Sequence, residues 1–343
     1  MDSTTAPIVP AAALSRRDIL RFRLPAPAED STHWIRVHRT AMACRFEIAL
    51  SGEEAPSLEA ARQCLTTVDE LEAILTIFRD SSEVSRVNAT AASIPVPAGA
   101  ALFDLLERCR ELHASTGGAF DVTTTPLSRC WGFLRRQGRL PERGEIEAAL
   151  RLVGMHKVVL DGPRRTVRFA QAGVELNFGS IGKGYALDQM GARLRRHAVR
   201  RALLSAAGSS VLAVGDNPEG WPIRLRSRRS PREGLALLRL RHGALATSGA
   251  GEQYFEVGGR RYGHVIDPRT GWPAAGVLSV SVATADATSA DALSTAFLVG
   301  GAALAESYCA EHPGVLAIVT GEDEGGTPRL FGAHPGIHVE VAA

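Results

Sequence analysis

The chain has 343 residues, 45% of them hydrophobic and 22% charged, with a formal net charge of +2. That is ordinary globular composition, enough for one large domain or two intimate ones, and the near-neutral balance gives no electrostatic case for nucleic acid. Five cysteines, an odd number with no CxxC spacing, argue against a disulfide framework or a thiolate zinc site and for a reducing compartment.

Residues 1–33 are rich in Pro, Ala, Ser and charge and read as a loose leader. Residues 34–343 read as one domain with room for two lobes. Within the leader, "SRRDILRF" at Ser15–Phe22 carries the twin arginines of an export signal. The continuation "RLPAPAEDSTHW" lacks the apolar run such a signal needs. "AMAC" at Ala41–Cys44 faintly matches a lipoprotein cleavage box and lacks that run too. Cytoplasm is the expected compartment, with periplasm as the alternative. No stretch reads as long and apolar enough to span a membrane.

Trp34–Leu50 partly alternates and predicts paired strands. From Leu58 to Ile77 apolar residues recur at three and four, the spacing of a helix. A second helix is expected at Gly99–Ser115 and a third over "GEIEAALRLVG". Between Lys157 and Val214 short strands flank one helix at about Gly182–His197. Strands dominate from Trp221 to Val282, with Gly258 and Gly259 turning a hairpin between "QYFEV" and "RRYGHVI". A long helix over Ala290–Glu311 and two or three strands close the chain. Hairpins mixed with helices, without regular βαβ alternation, predict an α+β fold of mixed, largely antiparallel sheets with packed helices.

Several stretches carry polar chemistry. "SADALSTAF" opens the last helix, with Ser289 or Thr288 as the expected cap. Asp291 and Thr295, four apart, share one helix face. A carboxylate and a hydroxyl are hard oxygen donors that suit Mg²⁺ or Ca²⁺, although an N-terminal Asp also stabilises the helix dipole alone. "ELNFGSIGKGYALDQM" puts glycines at a helix start, where free N–H groups bind phosphate. It is neither a Walker loop nor a GxGxxG fingerprint, and a plain glycine turn would read the same. "STGGAFDVTTTPL" reads as a polar loop anchored by a buried Phe, and "SAAGSSVLAVG" as a tight turn between strands. "YGHVIDPRTGWP" crowds His264, Asp267, Arg269 and Thr270 into a turn. Side-chain to backbone bonds from the last three would brace it. Lys183 is one of only two lysines in a chain whose cations are otherwise arginine.

Together these stretches, with "MAC", "IFRDSSEVSRVN" and "TSGAGEQYFEVGGRRYGHVIDPRTGWP", resemble the ApbE family of FAD:protein FMN transferases in order and wording. The likeness runs from about Trp34 to the last strands. It implies splitting of FAD at its diphosphate, transfer of FMN to a threonine or serine of a client protein, and release of AMP. By the same resemblance, Asp291 and Thr295 match side-chain ligands of Mg²⁺, and Ser180 a carbonyl ligand. Met42, Phe78, Ala119, Phe120, Asp121, Asn177, Lys183 and Val265 match FAD contacts, and His264 the base. Family clients are subunits of membrane redox complexes or flavin-bearing reductase domains. The chain departs from the commoner pattern at Asn177, where Asp is frequent, at Ala43 and Cys44 for Gly and Thr, and at Ser209 and Ser210 for Gly and Asp. Two other readings share the same residues: hydrolysis of FAD to FMN and AMP, and flavin binding without turnover.

Overall fold

The computed structural model describes residues 20–22, 34–215, 217–226, 234–322 and 327–341. The elements in chain order are β1 (Leu20–Phe22), β2 (Trp34–Ala41), β3 (Cys44–Ser51), α1 (Leu58–Leu75), α2 (Glu83–Thr90), β4 (Val96–Pro97), α3 (Ala100–Ser115), α4 (Thr125–Cys130), α5 (Arg143–Leu150), β5 (Val158–Asp161), β6 (Thr166–Phe169), α6 (Gly182–Arg196), β7 (Arg201–Ala206), β8 (Ser210–Gly215), β9 (Trp221–Arg226), β10 (Gly234–Leu240), β11 (Gly243–Gly249), β12 (Tyr254–Val257), β13 (Arg260–Gly263), β14 (Val277–Thr284), α7 (Ala287–Glu311), β15 (Leu316–Gly321), β16 (Pro328–Gly332) and β17 (Ile337–Val341).

An eight-stranded sheet, in the order β16-β15-β14-β11-β8-β7-β3-β2, organises the molecule. Every strand pair along it is antiparallel. Its inner strands are buried on both faces because both are covered, whereas the edge strands β2 and β16 stay partly exposed. Phe46, Ile48 and Leu50 of β3 join a core with α1, α3, α6 and α7, while Ala49 points the other way. On that second face Leu203, Val211, Leu245 and Ile318 meet Trp221, Ile223, Leu238 and Leu240 of the four-stranded sheet β1-β9-β10-β17. Helices, large sheet and small sheet therefore form three layers, and the expected α+β class is what the chain adopts.

A separate cluster of Leu127, Trp131, Phe133, Ile146, Phe255, Tyr262 and Ile266 joins α4, α5 and the hairpin β12–β13. Glycines at both turn positions, with φ of 58° and 76°, let this hairpin close in two residues. The cluster is where the His264 turn is anchored: Trp131 donates from Nε1 to the Gly271 carbonyl at 2.9 Å. Asp267 accepts from the Arg269 N–H at 2.9 Å, and Gly271 N–H donates to the Asp267 carbonyl at 2.8 Å. Asp267 and Arg269 thus hold the turn's shape, as Asx-type turn chemistry allows.

Four expectations need correction. Leu20–Phe22, inside the segment read as leader, is a strand paired with β9; residues 1–19 and 23–33, with the twin arginines, lie outside the described residues. The cap of α7 is neither Thr288 nor Ser289 but Asp286, whose carboxylate accepts from the Ser289 N–H at 2.7 Å. Asp at this place faces the positive end of the helix as well as its free N–H groups. Third, α7 is long and apolar enough, by length and composition alone, to cross a membrane. Its apolar residues serve the core, and Gly301, at φ 71° and ψ −169°, breaks it into two segments. Fourth, Ser82 caps an additional helix, α2, that the periodicity had not singled out. All five cysteines are free thiols.

Candidate active site

Two clefts open beside the start of α6, the second also bounded by Thr295 and Val299 of α7. The larger, about 420 Å³, is lined among others by Met42, Cys44, Glu72, Phe78, Lys183 and Glu252. The smaller, about 220 Å³, is lined by Ala119, Phe120, Asp121, Ser180, His264, Val265 and Thr295 among others. Asn177 and Gly179 line both, so the clefts meet across the bend that precedes α6.

The wall of the larger cleft begins with the turn between β2 and β3. Ala41 pairs with Cys44, leaving Met42 and Ala43 as a two-residue turn with φ of 50° and 55°. That left-handed geometry suits a hairpin's twist but costs roughly 1–2 kcal/mol per non-glycine residue. Glu72 of α1 holds the turn, accepting from the Met42 N–H at 3.0 Å. Across the opening, Phe78 is 79% exposed, a large ring with little to cover it.

The bend "NFGSIGKG" brings the next groups. Asn177 accepts from the Gly179 N–H through Oδ1 at 2.9 Å, an Asx turn that Asp would make equally well. Its remaining side-chain group is an amide donor where Asp would offer an acceptor. Lys183, in the first turn of α6, reaches both carboxylate oxygens of Asp291 at 3.3 Å. Asp291 lines neither cleft and is only 3% exposed. It also accepts from the Gly184 N–H at 3.1 Å and from Ser210 Oγ at 3.3 Å. Gly184 permits this approach: a Cβ there would sit 2.1 Å from the Ala287 carbonyl oxygen. Asp188, a turn further on, fastens the two helices by accepting from the N–H groups of Ala287 and Thr288 at 2.9 and 2.8 Å. Burial pushes the Asp188 carboxyl above its usual range, against those hydrogen bonds, which pull it down.

Thr295 lies one turn beyond Asp291 on α7 and reaches the small cleft, with Ser248 Oγ 3.2 Å from its hydroxyl. On the far wall, the Asp121 carboxylate turns inward. It accepts from the N–H groups of Thr123 and Met155 at 2.7 and 3.1 Å, and His113 Nδ1 lies 3.2 Å away. That hydrogen bond to Asp121 raises the pKa of His113, with burial opposing. Asp121 therefore shapes the loop that carries Ala119 and Phe120. His264 follows β13; its ring stands edge-on to Phe133, with centroids 6.4 Å apart.

Of the sequence-selected residues, Met42, Phe78, Asn177 and Lys183 come together at the larger cleft. Ala119, Phe120, Asp121, Ser180, His264, Val265 and Thr295 come together at the smaller, and Asp291 sits beneath, under Lys183. Sequence reasoning passed over Glu72 and Glu252, and read Ser209 only as a departure from the commoner glycine. Glu72 had a signal: it stands four residues after Val68, in the buried stripe of α1 that includes Leu71 and Leu75, where the period asks for an apolar residue. Ser209 is buried and its hydroxyl has no hydrogen-bond partner among the described residues.

Asp291 and Thr295 offer a carboxylate and a hydroxyl one turn apart on α7, oxygen donors of the kind Mg²⁺ takes. Lys183 now neutralises that carboxylate, so a metal ion held by Asp291 would take the ammonium's place there.

The ApbE family model matches residues 42–319. An FAD:protein FMN transferase of Treponema pallidum is 33% identical over 291 residues, covering 80% of each chain. The crystal structure of the ApbE protein of Thermotoga maritima has a TM-score of 0.79 at 30% identity, covering 87% of this chain and 97% of that one. The apo form of the Pseudomonas stutzeri flavinyl transferase ApbE has a TM-score of 0.77 at 27% identity, covering 88% and 95%. The matched span runs from the turn at Met42 into β15 and takes in both clefts, and on these grounds the chain belongs to the ApbE family.

Proposed function

We propose that this protein moves the FMN half of FAD onto a threonine or serine hydroxyl of a client protein and releases AMP. The observation that carries the reading is the junction at Asn177 and Gly179, where an aromatic-lipped cleft bearing Lys183 opens into a cleft bearing His264 and Thr295. A dinucleotide lying in the larger cleft would bring its diphosphate to this junction, against the bend and the start of α6. Lys183 supplies a point charge for anionic oxygens there.

In the reaction the client hydroxyl attacks the FMN phosphorus. The new O–P bond forms as the P–O bond of the diphosphate breaks, and AMP leaves with that electron pair. The hydroxyl proton passes to His264. Positioning and charge stabilisation account for most phosphoryl-transfer catalysis, and a hydroxyl is a weak nucleophile at neutral pH without a base beside it. Asp291, Thr295 and the Ser180 carbonyl would hold Mg²⁺. When bound, that ion neutralises phosphate charge and stabilises the leaving AMP. Phe78 offers a face for ring stacking.

The test is incubation with FAD, Mg²⁺ and flavin-carrying client subunits or reductase domains, followed by mass spectrometry. Covalent FMN on a client hydroxyl with matching AMP is the expected result. His264→Ala should lose transfer by roughly 100-fold or more while still binding FAD. AMP released at full rate with no client, and no adduct when clients are present, would instead make the protein an FAD hydrolase.

A further inference from the structure

We infer that Glu252 is a positioning residue for His264, holding the imidazole and supporting its positive charge as it takes the client proton. The inference rests on the transfer reading above. It starts from the hairpin. Tyr254 of β12 pairs with Gly263 of β13, so the residues just outside that pair, Gln253 and His264, are also brought opposite each other. The His264 N–H donates to the Gln253 carbonyl at 3.0 Å, and His264 Nδ1 lies 3.3 Å from the same oxygen. A carbonyl oxygen only accepts, so this contact is a hydrogen bond with the proton on Nδ1. The lone pair of the neutral ring then belongs to Nε2, the nitrogen left to act as base.

Glu252 Oε2 lies 4.0 Å from that Nε2. This is beyond hydrogen-bond range but close enough for a carboxylate to favour an imidazolium over a neutral ring. The two side chains are 25% and 21% exposed, so water screens the pair only in part. Their placement is also informative: Glu252 lines the larger cleft and His264 the smaller. The pair therefore spans the region between bound dinucleotide and incoming hydroxyl. The carboxylate that lines the small cleft, Asp121, is engaged by His113, Thr123 and Met155. Phe133 packs edge-on against the imidazole, and Glu252 is a charged group facing its Nε2.

Proton balance follows directly. The hydroxyl proton moves to Nε2 as the O–P bond forms, the imidazolium rests beside the Glu252 carboxylate, and the proton then leaves to solvent. Glu252→Gln keeps the shape and removes the charge. It should lower kcat roughly tenfold or more and leave the KM for FAD within about threefold. Without the carboxylate the imidazolium is less favoured, so the acid limb of the pH–rate profile should move to lower pH. Glu252→Asp should retain part of both effects. In a His264→Ala background Glu252→Gln should add nothing further, the mark of two groups acting as one. An unchanged kcat and acid limb in Glu252→Gln would overturn the inference. A raised KM at unchanged kcat would also overturn it, making Glu252 an FAD contact only. Either result leaves the transfer reading standing. A wild-type protein that forms no FMN adduct overturns the transfer reading itself and takes the inference with it.

Discussion

Lys183 and Asp291 face each other with side chains 13% and 4% exposed. Lys183→Met strands the Asp291 charge, and removing one partner of a buried pair costs about 3–5 kcal/mol. The melting midpoint should fall accordingly. A cation that binds only the folded state returns stability by mass action, so Mg²⁺ should raise the midpoint of Lys183→Met more than that of the wild type. Calorimetry with and without Mg²⁺ reads both. Equal, negligible responses would argue that Asp291 takes no metal. The partnership itself was not visible in the sequence. Lys183 stood out for its rarity and Asp291 for its spacing from Thr295, but 108 positions separate the two and no local pattern links them. Asn177 teaches the reverse. It departs from the commoner Asp in charge but keeps an acceptor oxygen, and the structure uses that oxygen to turn the chain.

At the scale of elements, α6 crosses α7 where Gly184 has no side chain. A Cβ there would meet the Ala287 carbonyl oxygen and, at 2.9 Å, the Asp291 Cβ, so the obstacle is mostly backbone. Gly184→Ala should destabilise by about 1–3 kcal/mol through overpacking and also lower transfer activity, because the same contact sets where Asp291 stands. Thermal melts and kcat should move together; loss of stability with full activity would separate packing from catalysis. Elements with a strong period were legible: α1, α3, α6 and the hairpins β2–β3 and β12–β13 fall close to where spacing and turn residues put them. The failures have physical causes. The helix α2 is eight residues long and offers little period to read. The α7 cap moved to Asp286 because Thr288 donates to Asp188, a tertiary neighbour, while Ser289 donates locally to Asp286 itself.

For the whole molecule, stability should carry a histidine signature. The pKa of His113 is raised, chiefly by its hydrogen bond to Asp121, from an ordinary value of 6.5. A raised folded-state value means the stabilisation is complete below the unfolded pKa and is lost as pH climbs through the folded one. Urea melts should therefore weaken as pH climbs above the ordinary histidine range, and His113→Gln should flatten that part of the curve. The three-layer architecture was only half legible: strand and helix content came from pattern, whereas pairing of β3 with β7 and covering of both sheet faces depend on contacts no short window contains. That pairing has a further consequence. The large sheet places β2 and β3 at one edge and β15 and β16 at the other, with the middle filled by later and later segments. During synthesis the emerging β3 meets β7 only after more than 150 further residues, and α7, which carries Asp291 and Thr295, arrives near the end. Non-local pairing of this kind is slow and leaves strand edges bare meanwhile. A ribosome stalled before α7 should thus hold a nascent chain that neither protects FAD nor escapes chaperones, and competence to bind should arrive in a single late step.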